Sequence, residues 1–207
     1  MLLTFSAMLA FAVIHSLTAT PGWKAFVARR VGQRNYEGLY RLLYNLFSAV
    51  LILPITAYAF LGGEVLISIP PWLDTVMAIL QVLGLLGGAM ALLQIDVWRF
   101  AGVRQAAAWL RGNQLPLPDE ALKTDGMFGI VRHPLYFFAL VILWTTFPLT
   151  DRLFVYNLMA TLYFVIGARF EEQRMLREYG ERYRTYCDRV PAFIPFSRMF
   201  TRPLTDT

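Results

Sequence analysis

The sequence predicts an all-α integral membrane helical bundle of about five transmembrane helices, with a C-terminal helical hairpin and an amphipathic cytosolic tail helix. Three observations predict it. Of 207 residues, 57% are hydrophobic and only 16% charged, against about 25% charged in an ordinary soluble domain. The apolar residues gather in long runs, with the charges between them. The basic residues alternate in density from one inter-run segment to the next, as sidedness in a bilayer requires.

The first run, Leu2 to Leu17, is interrupted only by Thr4, Ser6, His15 and Ser16. No basic residue precedes it, and a basic segment follows instead of a small-residue cleavage site, so it reads as a retained span rather than a signal peptide. Pro21, Gly22, Lys24, Arg29, Arg30 and Arg34 close it. The second span covers Leu39 to Leu61, with Pro54 as a kink that neighbouring helices accommodate. Gly62, Gly63 and Ile69-Pro70-Pro71 separate it from a third, Trp72 to Leu93, whose Gly84, Gly87 and Gly88 permit close helix approach. Residues 94–133 are more polar, and Gly112-Asn113 with Leu115-Pro116-Leu117-Pro118 marks a loop. A fourth run, Leu135 to Leu149, turns at Pro148 and Thr150-Asp151-Arg152 into a fifth, Leu153 to Ala168. Each of these two is only ~24 Å long as helix, short of a ~30 Å hydrocarbon core. They read as a helical hairpin that either spans a thinned region or stops just short of the far face. From Arg169 a charged, tyrosine-rich helix is expected to about Asp188, ended by Pro191 and Pro195. Residues 1–119 form a membrane scaffold of three spans and a connector, and residues 120–207 a second region with hairpin and tail.

Lys and Arg number four between spans one and two, five between spans three and four, and eight from Arg169 onward. The second-to-third loop has none, and the hairpin turn has only Arg152. Positive-inside bias then places the N-terminus outside and the C-terminus in the cytosol, with a bacterial inner membrane as the expected location. The net charge of +5 fits anionic headgroups of membrane lipids as partners. Nucleic acid is not an expected partner, because no soluble basic platform is present. One cysteine (Cys187) and two histidines (His15 and His133) exclude an intramolecular disulfide and predict no metal site.

Two polar segments flank the hairpin. One is Lys123-Thr124-Asp125-Gly126-Met127-Phe128-Gly129-Ile130-Val131-Arg132-His133-Pro134-Leu135-Tyr136; the other begins Arg169-Phe170-Glu171-Glu172-Gln173-Arg174. The hairpin helices run antiparallel through a tight turn, so Arg132-His133 and Glu171-Glu172 converge. Singly, each residue has a structural explanation: Arg132 snorkelling to headgroups, His133-Pro134 starting a helix, the glutamates pairing with helix-surface arginines. As a convergent ionisable set at a membrane face they define a candidate site. His15 reads as a hydrogen-bonded interfacial residue, with a substrate-facing role as the alternative, and Gln94 and Asp96 read equally as contributors to the site or as a cap or ion pair.

The Gly126–Tyr136 run, with its Arg132-His133-Pro134-x-Tyr136 core, is followed by Glu171-Glu172 and then Tyr179-Gly180, Tyr183, Tyr186 and Val190-Pro191-Ala192-Phe193-Ile194-Pro195. Over residues 120–196 this order resembles the isoprenylcysteine carboxyl methyltransferase superfamily. Ile14-His15-Ser16, Tyr40–Asn45 and Asp96–Gln105 are similar to its methanethiol methyltransferase and NnrU-type branches. The resemblance implies an S-adenosylmethionine-dependent membrane methyltransferase, with a cytosolic cofactor site closed by the tail and a lipid-facing opening. It implies that His133, Pro134 and Tyr136 line the cofactor pocket, that backbone from Gly126 through Ile130 and Val131 holds its polar parts, and that Glu171 and Glu172 meet its amino group or ribose. Arg132, Arg174 and Glu172 are the candidate catalytic residues. The acceptor is a small or lipophilic molecule, with a thiol or carboxylate favoured and a lipid amine open. Phe138 departs from the family pattern, which commonly has glycine there, and its bulk is expected to narrow the pocket or its entrance. The NnrU-type resemblance implies the alternative, a non-enzymatic accessory protein of nitrogen-oxide respiration.

Overall fold

The structure, a computed structural model, describes residues 1–195 and 197; Arg198 and Arg202 of the basic tail lie outside the described residues. In chain order the helices are α1 (Leu2–Ala19), α2 (Pro21–Val31), α3 (Gln33–Phe60), α4 (Pro71–Leu93), α5 (Val97–Ala101), α6 (Val103–Leu110), α7 (Pro134–Trp144), α8 (Asp151–Tyr179) and α9 (Glu181–Arg189). A 3-10 turn occupies Gly126–Gly129, and two short strands, β1 (Val65–Ile67) and β2 (Leu149–Thr150), pair antiparallel with Val65 opposite Thr150. The protein is an all-α membrane bundle. Among the described residues, four helices are long and apolar enough to cross a bilayer: α1, α3, α4 and α8, of 18, 28, 23 and 29 residues.

The chain divides into two compact units, residues 1–63 with 96–120, and residues 64–95 with 121–207. In the first, the basic stretch after α1 is itself helical. Thr20 caps α2 by accepting from the Trp23 amide at 3.3 Å, Pro21 occupies the first turn, and Arg29 and Arg30 lie in the last turn, where the helix dipole favours cations. Polar contacts stitch α1 to α3. His15 Nδ1 lies 2.8 Å from Ser48 Oγ, its Nε2 lies 2.8 Å from the Tyr44 hydroxyl, and the Tyr40 hydroxyl donates to the Thr18 carbonyl. Asp96 caps α5 by accepting from the Arg99 amide at 3.0 Å and pairs with Arg104.

In the second unit α4 packs along α7. Gly87 makes this approach possible, since a Cβ there would come within 2.2 Å of the Phe138 ring. The bulk of Phe138 is thus absorbed at a helix contact with α4.

The fourth apolar run is helical over only 11 residues, a rise of about 17 Å. The Thr145 and Thr146 hydroxyls turn back onto the Val141 and Ile142 carbonyls at 2.7 and 2.8 Å. Pro148 then disfavours helix at the residue before it, and residues 149–150 pair with β1. The hairpin is held by Asn157, which donates to the Leu143 carbonyl at 2.8 Å, and by Trp144, which donates to Thr161 at 3.0 Å. The tail also differs from the expected single helix. α8 continues through Arg169 to Tyr179, Gly180 breaks it at φ +54°, and α9 is separate. One face of α9, Tyr183, Tyr186 and Cys187, is buried with Val190 against Met175, Leu176 and Tyr179.

Candidate active site

The site is built where α7 begins and α8 leaves its apolar stretch. His133 is the N-cap of α7, and Pro134 fills its first turn, where a missing amide costs nothing. The two residues ahead of Pro134 lie outside the helix, and their amides pair with the segment after α9. The Arg132 amide donates to the Pro191 carbonyl at 2.9 Å and the His133 amide to the Ala192 carbonyl at 3.1 Å.

Glu172 projects from α8 into this junction. Its Oε1 accepts from Arg132 Nε at 2.9 Å and lies 2.8 Å from Arg132 Nη2 and 3.0 Å from His133 Nε2. The guanidinium and the carboxylate are both fully buried. The opposite edge of Arg132 donates through Nη1 to the Val190 carbonyl at 2.6 Å and the Cys187 carbonyl at 3.2 Å. These carbonyls close α9, where the helix supplies no partners of its own. One buried ion pair therefore joins α7, α8 and α9.

Glu171, the preceding residue, faces a more open environment. Its Oε2 accepts from the Tyr136 hydroxyl at 3.2 Å and lies 3.6 Å from His133 Nδ1, while Oε1 lies 3.9 Å from Arg174 Nη2. Side-chain exposure is 36% at Glu171 and 57% at Arg174, against none at Glu172. The cluster thus has a sealed end and an accessible end, with the His133 ring between them. Burial opposes protonation of His133, but hydrogen bonds and charge from Glu171 and Glu172 outweigh it and raise its pKa above the ordinary value.

A column of rings lies alongside. His133 stacks on Phe193 at 5.4 Å and on Tyr136 at 5.5 Å, and Tyr136 stacks on Phe164 at 4.9 Å with an interplanar angle of 7°.

The 126–131 loop is anchored at both ends. Gly126 has φ +59°, and a Cβ there would come within 2.5 Å of Gln94 Oε1, the atom that accepts from the Met127 amide at 2.9 Å. Val131 is buried, Ile130 is exposed, and the Tyr186 hydroxyl donates to the Phe128 carbonyl. Cys187 is buried, and burial pushes its thiol up to about 11, so it is a packing residue rather than a nucleophile.

Arg132, His133, Tyr136, Glu171, Glu172 and Arg174 of the expected site are therefore in one contact network, and Pro134 and Val131 are packed beneath it. Gly126 belongs to the Gln94 anchor instead, and Ile130 points outward. Sequence reasoning did not identify Phe164 or the roles of Tyr186 and the carbonyls of Cys187, Val190, Pro191 and Ala192. Backbone acceptors leave no side-chain signature, and Phe164 sits in an apolar run that reads only as membrane.

The class these features define is a helical membrane protein with a buried Arg-His-Glu cluster at the base of a helical hairpin. A match to the NnrU protein family covers residues 3–149, and the chain belongs to that family. It is also similar to methanethiol S-methyltransferase 2 of Bradyrhizobium diazoefficiens, with 29% identity over 201 residues, covering 95% of this chain and 73% of that protein. Methanethiol S-methyltransferase of Pseudomonas deceptionensis is 34% identical over 124 residues, or 58% of this chain, and the match covers about half (47%) of that relative's length. The Mycobacterium tuberculosis methanethiol S-methyltransferase is 26% identical over 191 residues, 92% of this chain and 76% of that protein. No solved structure gives a significant match.

Proposed function

We propose that the chain is an integral membrane methyltransferase that uses S-adenosylmethionine and methylates a small or lipophilic acceptor, with a thiol or carboxylate favoured. The observation that carries this reading is the two-ended cluster, in which a sealed Arg132–Glu172 pair fixes His133 and Glu171 is presented at an accessible mouth beside stacked rings. The relatives' names add support for a thiol acceptor.

The residues suit the cofactor's charges. Glu171 matches an ammonium, Arg174 matches a carboxylate, and the face of Phe193 turned away from His133 offers a sulfonium cation–π attraction of about 0.5–2 kcal/mol. When bound, the cofactor supplies an electrophilic methyl group for in-line displacement, which requires no covalent enzyme nucleophile. The protein's own residues position and desolvate. Glu172 holds Arg132 and His133 in place, His133 and Tyr136 hold Glu171, and the backbone pairing of 132–133 with 191–192 shuts water from the sealed end. Arg132 is engaged by Glu172 and two carbonyls, so its proposed role is positioning. Arg174 is the exposed cation, and it serves either the cofactor's carboxylate or an incoming thiolate, the reactive form of a thiol. The second reading, a non-enzymatic accessory protein of nitrogen-oxide respiration, rests on the family match, which ends at residue 149, ahead of both glutamates.

Calorimetry on the full chain in nanodiscs tests the proposal. S-adenosylmethionine and its demethylated product are expected to bind, and a labelled-methyl screen against a small thiol, a prenylcysteine carboxylate and a lipid amine identifies the acceptor. Absence of binding by both nucleosides would favour the accessory reading.

A further inference from the structure

A second feature lies on residues 98–117 and shares no residue with the Glu172 cluster. One face of α6 and the loop after it form an open groove of about 390 Å³. Its walls are apolar, including Trp98, Val103, Ala107 and Leu117, and its rim carries Arg104 and Arg111. Arg104 lies in the first turn of α6 and Arg111 is its C-cap, seven residues or about two turns (~10.5 Å) further along the axis.

The four arginines of this neighbourhood are differently employed. Arg99 is held by Glu120 at 3.3 Å and by the Pro118 carbonyl. Arg34 donates to the Trp109 and Asn113 carbonyls, so it takes over the C-terminal end of α6. Arg104 pairs with Asp96. The Arg111 side chain makes no hydrogen bond or ion pair among the described residues, and the Trp109 and Asn113 carbonyls, two residues to either side of it, already have Arg34. The rim thus offers two guanidiniums, one of them uncompensated, over an apolar floor. Around it Trp98 is 63% exposed and Leu110 75% exposed. A short helical pair with such outward apolar side chains belongs in the interfacial layer of a bilayer.

We infer that this groove is a binding site for an anionic phospholipid, its phosphodiester held between Arg111 and Arg104 and the first part of an acyl chain laid against Trp98, Ala107 and Leu117. A single uncompensated positive charge matches the one negative charge of a phosphatidylglycerol-type headgroup. A zwitterionic lipid brings a cation that the rim repels. The apolar walls select the lipid over free phosphate.

Native mass spectrometry of the full chain released from mixed phosphatidylglycerol–phosphatidylcholine nanodiscs tests the site. The wild-type protein is expected to retain phosphatidylglycerol in preference to phosphatidylcholine. Arg111→Gln should reduce that retention by about fivefold, the scale of one arginine near an anionic headgroup, whereas Arg152→Gln should not. Ala107→Phe, which fills the groove and leaves both arginines in place, should reduce it as well, so the outcome does not hang on one variant folding. Millimolar inorganic phosphate should leave retention unchanged. Equal retention of the two lipids, retention unaffected in both groove variants, or displacement by phosphate alone would overturn the inference.

Discussion

Three nitrogens (Arg132 Nε and Nη2 and His133 Nε2) lie within 3.0 Å of one Glu172 oxygen, which meets no solvent, whereas Glu171, one position earlier, shares its carboxylate between a phenol, an imidazole and a half-exposed arginine. The two substitutions should therefore separate. Glu172→Gln leaves the Arg132 guanidinium buried without its counter-charge, which costs about 3–5 kcal/mol. Glu171→Gln removes hydrogen bonds at an accessible site, where the loss is about 1 kcal/mol. In detergent, the thermal midpoint should fall sharply for Glu172→Gln and little for Glu171→Gln. On the methyltransferase reading, cofactor affinity should fall for Glu171→Gln without that loss of stability. The reverse order of midpoints would remove the structural role given to the sealed pair. His133 adds a pH dependence. Folding raises its proton affinity, so its stabilising contribution is complete below about pH 6.5, the unperturbed value, and is lost as pH rises through the higher folded value. The wild-type midpoint should drop between pH 6 and pH 9, and the drop should be smaller in His133→Gln.

At the scale of elements, close packing of α4 on α7 rests on Gly87 beneath Phe138. Gly87→Ala should destabilise by about 1–3 kcal/mol through overpacking, and trimming the ring with Phe138→Leu should recover part of that loss. A double-mutant cycle is expected to give a coupling of about 0.5–3 kcal/mol, while strict additivity would mean the two side chains do not meet. Which parts of these elements were legible follows from what hydropathy measures. It counts apolar residues, so it found the runs at α1, α3, α4 and α8. It does not register where backbone bonding stops, so it carried α7 on past Trp144 to Leu149 and placed a boundary at Arg169, where α8 continues unbroken. The turn signals were present: Thr145, Thr146 and Pro148 in one case, Gly180 in the other. The meeting of Arg132-His133 with Glu171-Glu172 followed from hairpin geometry alone. The closure by α9 did not, because its acceptors are main-chain carbonyls.

At the scale of the whole molecule, composition divides the chain near residue 120, whereas packing groups α4 with the C-terminal elements. That grouping depends on small-residue faces rather than on charge, and charge is what sets sidedness. Positive-inside bias predicts a cytosolic position for the arginine-rich 94–133 segment and the tail, and an outside position for the loop after α3, which has no Lys or Arg. Cys187 makes this testable with little engineering. It is the single cysteine of the sequence, it is fully buried, and burial pushes its thiol up to about 11, so the reactive thiolate is scarce at neutral pH. Membrane-impermeant maleimide should leave the native protein unlabelled until it is unfolded in SDS. Against that silent background, Glu64→Cys, exposed after α3, should label in intact cells. Gln114→Cys, exposed in the basic connector, should label only once the membrane is opened. Labelling of Gln114→Cys in sealed cells would invert the orientation and put the groove of Arg104 and Arg111 on the opposite face of the membrane. Labelling of native Cys187 would show instead that α9 separates from α8 in the bilayer, releasing the carbonyls that hold Arg132.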